Sequence, residues 1–143
     1  MRYLLDTNTL SNIFPRPARN LRDRLAHVET ADVGTSVFVA GEMLWGAEKR
    51  GSPKLRRRVE RVLAQFQIHG VDEDFADRFA SLRWHLERKG KKIGLMDTLI
   101  AAHALALRAT LITDNIRHFR HVPGLRIENW LRPAVTDEGQ DNG

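Results

Sequence analysis

Short apolar runs alternate with longer segments of helical periodicity along this 143-residue sequence, and this alternation restricts the possible fold more than any other feature. Short apolar runs bounded by polar or turn residues predict buried strands, whereas apolar residues spaced three and four apart predict amphipathic helices. Strands that alternate with helices form a mainly parallel sheet. The sequence therefore predicts an α/β domain, and its length fits a single domain with one core.

Five strands and five helices are expected. The strands are predicted at residues 3–5, 32–35, 68–71, 110–113 and, at the sheet edge, 125–128. The helices are predicted from Pro17 to about residue 27, then over 37–49, from 53 to about 66, over 75–88 and over 93–107. Ser36, Ser52 and Asp72 are expected to cap three of these helices, because their side-chain oxygens can accept a backbone N–H.

Composition excludes several classes of protein. The chain has no cysteine, which rules out disulfides, thiolate metal sites and cysteine nucleophiles and fits a cytoplasmic location. The first ten residues, MRYLLDTNTL, lead directly into strand-like sequence, so neither a secretion signal nor a membrane span is expected. Residues 134–143 are expected to form a disordered acidic tail, since TDEGQDNG has no apolar residue.

Basic residues are concentrated in two places, on a chain of net charge +5. The segment KRGSPKLRRRVER, residues 49–61, has seven basic residues and one acid, and RKGKK spans residues 88–92. Such clusters are either ordinary solvated surface or a binding site for a phosphate backbone. Charge alone does not separate these two interpretations, although it favours polyanionic partners in general.

Acidic residues follow two of the predicted strands. Asp6 comes directly after the first strand, and Asp114 follows the strand that begins at Thr110. The carboxyl ends of parallel strands lie along one edge of a sheet, where ligands bind. We therefore expect Asp6 and Asp114 at that edge, with Asp97 near it if its helix begins there.

Two further acids stand in apolar sequence. Asp97 lies near the front of IGLMDTLIAAHALAL, where it either caps its own helix or binds a cationic partner. Glu42 lies in VFVAGEMLWGAE, a helix that its composition predicts to be buried almost all round. Glu42 is then either a core carboxylate paired with Arg or Lys, or a functional acid.

Four acids beside buried sequence, Asp6, Glu42, Asp97 and Asp114, require a counter-charge. Hard divalent cations such as Mg²⁺ supply it, since they prefer oxygen ligands and retain waters for substrate phosphates. Such an ion, together with a basic surface, suggests hydrolysis of a phosphodiester.

Five segments, in order, resemble the PIN-domain ribonucleases, and specifically the VapC toxins of type II toxin–antitoxin modules. They are LLDTNTLS, TSVFVAGEMLWGAEK, IGLMDTLIAAHALAL, ATLITDNIRHF and VPGLRIENW. The resemblance implies a three-layer α/β/α fold over residues 1–133, with a central parallel sheet of four to five strands. It also implies RNA cleavage, often of tRNA, that depends on Mg²⁺ or Mn²⁺, a homodimer, and inhibition by a VapB antitoxin.

The resemblance also assigns roles to individual residues. Asp6, Glu42 and Asp97 match the metal-binding acids of the family, and a supporting or substrate-contacting role is implied for a polar set comprising Thr7, Asn8, Thr113 and Asn115. Asp114 is included as a fourth catalytic acid, although the sequence departs from the family here. His118 takes the position before the Phe where relatives can carry an acid.

Other functions remain as alternatives. A phosphatase with an aspartyl nucleophile is disfavoured, because Asn8 stands where its general acid is required. A PIN-domain nuclease that is not a toxin, or a catalytically silent RNA-binding module, would share the fold. Intact Asp6, Glu42 and Asp97 argue against the silent module.

Overall fold

The structure is a computed structural model that describes residues 1–13 and 16–133. The acidic tail predicted at residues 134–143 therefore lies outside the described residues. Five parallel strands form one sheet in the order β3-β2-β1-β4-β5. They are β1 (Tyr3–Leu5), β2 (Val33–Ser36), β3 (Gln67–His69), β4 (Thr110–Ile112) and β5 (Ile127–Glu128). The predicted α/β class with a parallel sheet is confirmed.

Helices connect the strands and flank the sheet. They are α1 (Thr7–Ser11), α2 (Arg19–Ala26), α3 (Val37–Arg50), α4 (Pro53–Leu63), α5 (Glu73–Arg88), α6 (Leu95–Leu107) and α7 (Ile116–Phe119), with a 3₁₀ turn at Thr30–Asp32. The predicted caps are confirmed, since Ser36, Ser52 and Asp72 each accept a hydrogen bond from a backbone N–H of the helix that follows. None of the described helices is long and apolar enough to cross a bilayer.

The strand order changes direction at β1, which is the central strand. β2 and β3 lie on one side of it, whereas β4 and β5 lie on the other. The side chains of Leu4, Leu5, Leu111 and Ile112 on β1 and β4 are fully buried between the helices. A crevice outside the carboxyl ends of the strands, at such a change of direction, is where open parallel sheets bind ligands. β1 therefore delivers Asp6 to the position that the topology favours for a site.

Several predicted boundaries were wrong. The second helix begins at Arg19 rather than at Pro17, because Ala18 has an extended ψ of 158° and serves as its N-cap. The strand predicted from residue 32 begins at Val33, since Asp32 belongs to the 3₁₀ turn. The strand predicted at 68–71 occupies Gln67–His69, and α1 and α7 were not predicted. These two helices flank the candidate site.

The prediction that α3 is buried almost all round was also wrong. Val39 and Ala47 are buried, but Trp45 is 62% exposed and Val37 is 43% exposed. The helix therefore packs one face on the core and presents apolar side chains on the other. Glu42 is half-buried at the boundary between these faces.

His103 on α6 ties three elements together at the β2–β3 side of the sheet. It is 1% exposed, its Nδ1 lies 2.7 Å from Ser36 Oγ, and its Nε2 lies 2.9 Å from the carbonyl oxygen of Gly70. Because a carbonyl can only accept, Nε2 carries the proton and donates it, and Nδ1 accepts from the Ser36 hydroxyl. Ser36 Oγ in turn accepts from the N–H of Phe38. Every polar atom of this histidine is therefore matched.

Candidate active site

Asp6 is a buried carboxylate at the carboxyl end of β1. Its side chain is 6% exposed, and its Oδ1 accepts the backbone N–H of Thr9 at 2.9 Å, so that Asp6 caps α1. Burial raises the pKa of Asp6 above its ordinary value of 3.8, and the negative charge of Asp97 raises it further. Hydrogen bonds from Thr113 and Thr9 oppose this rise without cancelling it. Asp6 and Asp97 are therefore close enough for the charge of Asp97 to act on Asp6.

Thr113 positions Asp6 from the neighbouring strand. It follows β4 directly and is fully buried. Its side chain is hydrogen-bonded to the Asp6 carboxylate and accepts the backbone N–H of Asn115 at 2.9 Å. This arrangement is consistent with the supporting role that was inferred for Thr113.

Glu42 is linked to the same edge of the sheet through Thr7. The Thr7 hydroxyl donates a 2.6 Å hydrogen bond to Glu42 Oε1, although 35 residues separate the two in sequence. If Glu42 were only a paired core carboxylate, an Arg or Lys would be expected beside it. The hydrogen bond found comes from the neutral hydroxyl of Thr7 instead. Since Thr7 is adjacent to Asp6 in the chain, this bond holds α3 against the segment that carries Asp6.

Asp97 lies in the first turn of α6 but does not cap it. The N-cap is Gly94, which has a φ of 91° and forms no side-chain capping bond, so the capping alternative was wrong. Asp97 Oδ2 instead lies 3.1 Å from Nδ1 of His118, on α7. The side-chain amide of Asn115 lies 3.0 Å from the same nitrogen. A carboxylate can only accept, so a hydrogen bond to Asp97 requires a proton on Nδ1, whereas a hydrogen bond from the Asn115 amide requires Nδ1 without a proton. The two contacts are therefore alternative hydrogen bonds of one nitrogen.

Asp114 is hydrogen-bonded to residues of the segment that follows β5. Its Oδ1 accepts hydrogen bonds from Asn129 Nδ2 at 2.7 Å and from Arg132 Nε at 3.0 Å. The hydrogen bond from Asn129, followed by the bond and charge of Arg132, lowers the pKa of Asp114. The structure therefore engages Asp114 with the segment after β5, and Asp114 is not among the groups that act on Asp6.

The remaining polar residues are divided between the site and the surface. Asn115 contacts His118 and lies at the site, whereas Asn8 is exposed and its backbone carbonyl accepts from the side chain of Asn12. The contact between His118 and Asp97 was not predicted, since it joins residues 21 apart through a short helix. The signal in the sequence was the histidine directly before Phe119, in a segment that resembles the family.

The donor set suits a hard divalent cation. Asp6 and Asp97 are carboxylates, the negative charge of Asp97 acts on Asp6, and no Lys or Arg of the described chain is among the groups that act on Asp6. Among residues 1–13 and 16–133, no group of three or more His, Asp and Glu side chains is placed to hold a metal ion. Mg²⁺ often binds through one or two carboxylates and retains its waters, which the pair could supply. The three-acid ligand set stays a prediction.

Comparisons with known proteins identify the family of this chain. A family model for the PIN domain matches residues 3–125. The tRNA(fMet)-specific endonuclease VapC of Salmonella typhimurium is 30% identical over 131 residues, which cover 91% of this chain and 98% of that protein. Ribonuclease VapC2 of Rickettsia felis is 34% identical over 134 residues, covering 91% and 98%.

Solved structures show the same fold. The structure of VapBC-1 from nontypeable Haemophilus influenzae matches with a TM-score of 0.82 at 26% identity, covering 92% of this chain and 100% of that one. DNA-bound VapBC from Salmonella typhimurium matches with a TM-score of 0.82 at 30% identity, covering 91% and 98%. The chain belongs to the PIN-domain family and, within it, to the VapC ribonucleases.

Proposed function

We propose that this protein is a divalent-metal-dependent endoribonuclease whose active site is formed by Asp6, Glu42 and Asp97. The observation that carries the proposal is the state of Asp6. It is a buried carboxylate, its pKa is raised by burial and by a second acid, and no cation of the described chain compensates it. Burying such a charge is costly, and a bound cation would offset that cost.

Each side chain has a distinct part in this mechanism. Bound Mg²⁺ or Mn²⁺ would activate a water for attack on the phosphodiester and stabilise the charge that develops on the phosphate. Asp6 and Asp97 would hold the ion, while Thr113 orients Asp6 through its hydrogen bond. Thr7 fixes Glu42 at the same edge, from which its carboxylate would position the ion or its waters. Asn115 lies beside Asp97 and His118, where it would contact the substrate.

The names of the relatives suggest the substrate and the partners. One relative is a tRNA(fMet)-specific endonuclease, so tRNA is the first substrate to test. Solved neighbours are VapBC complexes, which supports a VapB-type antitoxin as the inhibitor of this chain. A homodimer in the cytoplasm completes the proposal. A short antitoxin-like reading frame just upstream of the gene would favour the toxin over a PIN-domain nuclease with another role.

The direct test is RNA cleavage by the purified protein with Mg²⁺ or Mn²⁺, with EDTA, and after Asp97→Asn. We expect EDTA to abolish cleavage and Asp97→Asn to reduce its rate by on the order of 100-fold or more, because the ion loses a charged ligand. Asp114→Asn is the matched control, since it makes the same chemical change at an acid held by Asn129 and Arg132.

The control is expected to cleave within about threefold of the wild type, since the described partners of Asp114 do not include the other acids. Undiminished cleavage by Asp97→Asn would refute its role. If the wild type binds RNA but never cleaves it, the catalytically silent module becomes the better description.

A further inference from the structure

Beside the acid site lies an open cleft of about 550 Å³ between the turn that follows α5 and the region of α7. His118 belongs to both, because it lines the cleft and contacts Asp97. The remaining charged residues that line the cleft are basic or titratable to a cation, namely Lys91, Lys92, Arg117, Arg120 and His121. The cleft therefore leads away from the site as a positively charged surface.

The cations of the cleft are not neutralised by the residues that the structure describes. In the part of the chain that the structure describes, the ion pairs involve none of Lys91, Lys92, Arg117 and Arg120. The pKa of His121 is lowered by desolvation and then by the charges of Arg120 and Lys91. These two cations therefore lie close enough to His121 for their charges to act on the same part of the cleft. No acidic residue within 1–13 or 16–133 lines the cleft. The described residues therefore leave the positive charge of this surface without a neutralising acid.

The other basic cluster of the sequence differs in this respect. On α4, Arg56 pairs with Glu60 at 2.8 Å and with Glu48 at 3.5 Å. Arg58 and Arg61 also have partners. The charge of the α4 cluster is thus partly neutralised. None of the described residues that line the cleft belongs to α4. This difference separates the two clusters, which charge alone could not do.

We propose that this cleft binds the phosphate backbone of single-stranded RNA next to the phosphodiester that is cleaved. The proposal rests on the proposed ribonuclease function and assigns its substrate path. An open groove that carries unpaired cations suits a flexible strand, whose phosphates replace the missing anions. His118 marks the end of the path, since its contact with Asp97 joins the cleft to the acids.

The test measures RNA binding separately from cleavage. The probe is a fluorescein-labelled single-stranded RNA of mixed sequence, about 12 nucleotides long, titrated in EDTA so that it stays intact. The test variant is Lys92→Gln with Arg117→Gln in the cleft. The control is Lys54→Gln with Arg57→Gln on α4, which removes the same charge from exposed positions.

We expect the cleft variant to bind on the order of tenfold more weakly near 0.1 M salt, while the control binds like the wild type. The slope of log K against log salt concentration should also become shallower by about 0.7 for each phosphate that the variant no longer binds. Circular dichroism of each variant checks that the fold is intact, as exposed unpaired cations contribute little to stability.

Equal weakening by both variants would overturn the proposal, because it would show a general charge effect. Unchanged binding by the cleft variant would also overturn it. Polyglutamate that binds the wild type in preference to RNA, and loses this binding in the cleft variant, would identify a surface for an acidic protein instead. A wild type that binds RNA through the cleft yet cleaves none would contradict the proposed function, and it would leave the cleft as the RNA-binding surface of a protein that does not cleave.

Discussion

The molecule buries polar side chains in two places, around His103 and around Asp6, and the two places differ in how the buried polar groups are compensated. Around His103, every donor and acceptor has a partner, and desolvation keeps the imidazole neutral by lowering its pKa. Around Asp6, hydrogen bonds from Thr9 and Thr113 favour the ionised carboxylate. Burial and the charge of Asp97 disfavour it, and the pKa of Asp6 is raised as a result. The first arrangement stabilises the fold from within, whereas at the second the described chain supplies no Lys or Arg to act on the Asp6 carboxylate. Unmatched buried charge is typical of sites that act on something outside the chain.

The largest expected effect comes from neutralising Asp6. Asp6→Asn should reduce RNA cleavage by on the order of 100-fold or more, because the ion is deprived of one charged ligand. In the absence of divalent metal, the same change should raise the free energy of unfolding at neutral pH by about 1 kcal/mol, since it removes a buried charge and its repulsion by Asp97. Cleavage assays and urea unfolding in EDTA measure the two effects. A variant that loses both activity and stability would contradict this account.

The opposite outcome is expected at the His103 network. Ser36→Ala removes both the donor to His103 Nδ1 and the cap acceptor for Phe38, so unfolding should become easier by about 2 kcal/mol. Cleavage per folded molecule should stay within about threefold of the wild type. Urea unfolding with cleavage measured on the folded protein checks both. A loss of activity without a loss of stability would place Ser36 in the active site.

A smaller effect is expected in how the free energy of unfolding depends on pH, and it arises at the His103 network. The pKa of His103 is lowered below 6.5 in the folded protein, so its contribution to stability is present above that pH and is lost as the pH falls through the folded value. Replacing His103 by Gln should flatten this decline, by less than about 1.4 kcal/mol per pH unit, the limit for one proton. His69 adds in the same direction, since burial also lowers its pKa. Unfolding series between pH 7 and pH 5 test this, and identical slopes would refute it.

Much of the fold was predictable because it follows from local sequence. Each of the five predicted strands overlaps a strand of the sheet, and Ser36, Ser52 and Asp72 cap helices as their side chains suggested. The helices α1 and α7 are only five and four residues long, which is too short for apolar periodicity to show. The exposure of Trp45 was missed because composition does not reveal which face of a helix packs on the core.

The candidate site was predictable in its residue types but not in its contacts. Asp6, Glu42 and Asp97 stood out as acids in apolar sequence, and Thr113 was expected to support them. The partners of Asp114 depend on how the segment after β5 folds back, which no local pattern encodes. The contact of His118 with Asp97 likewise arises from tertiary packing of α6 and α7. Candidate residues could be selected from the sequence, whereas the pairing of their side chains required the structure.

The central claim is that Asp6 binds a divalent cation. It is tested most directly by measuring how the metal changes the free energy of unfolding. Unfolding of the wild type should be measured with and without Mn²⁺ or Mg²⁺, beside Asp6→Asn and Asp114→Asn. At a metal concentration about 100 times its dissociation constant, the wild type should gain about 2.7 kcal/mol. Asp114→Asn should keep this gain and Asp6→Asn should lose it. An equal gain in Asp6→Asn, or none in the wild type, would contradict the account.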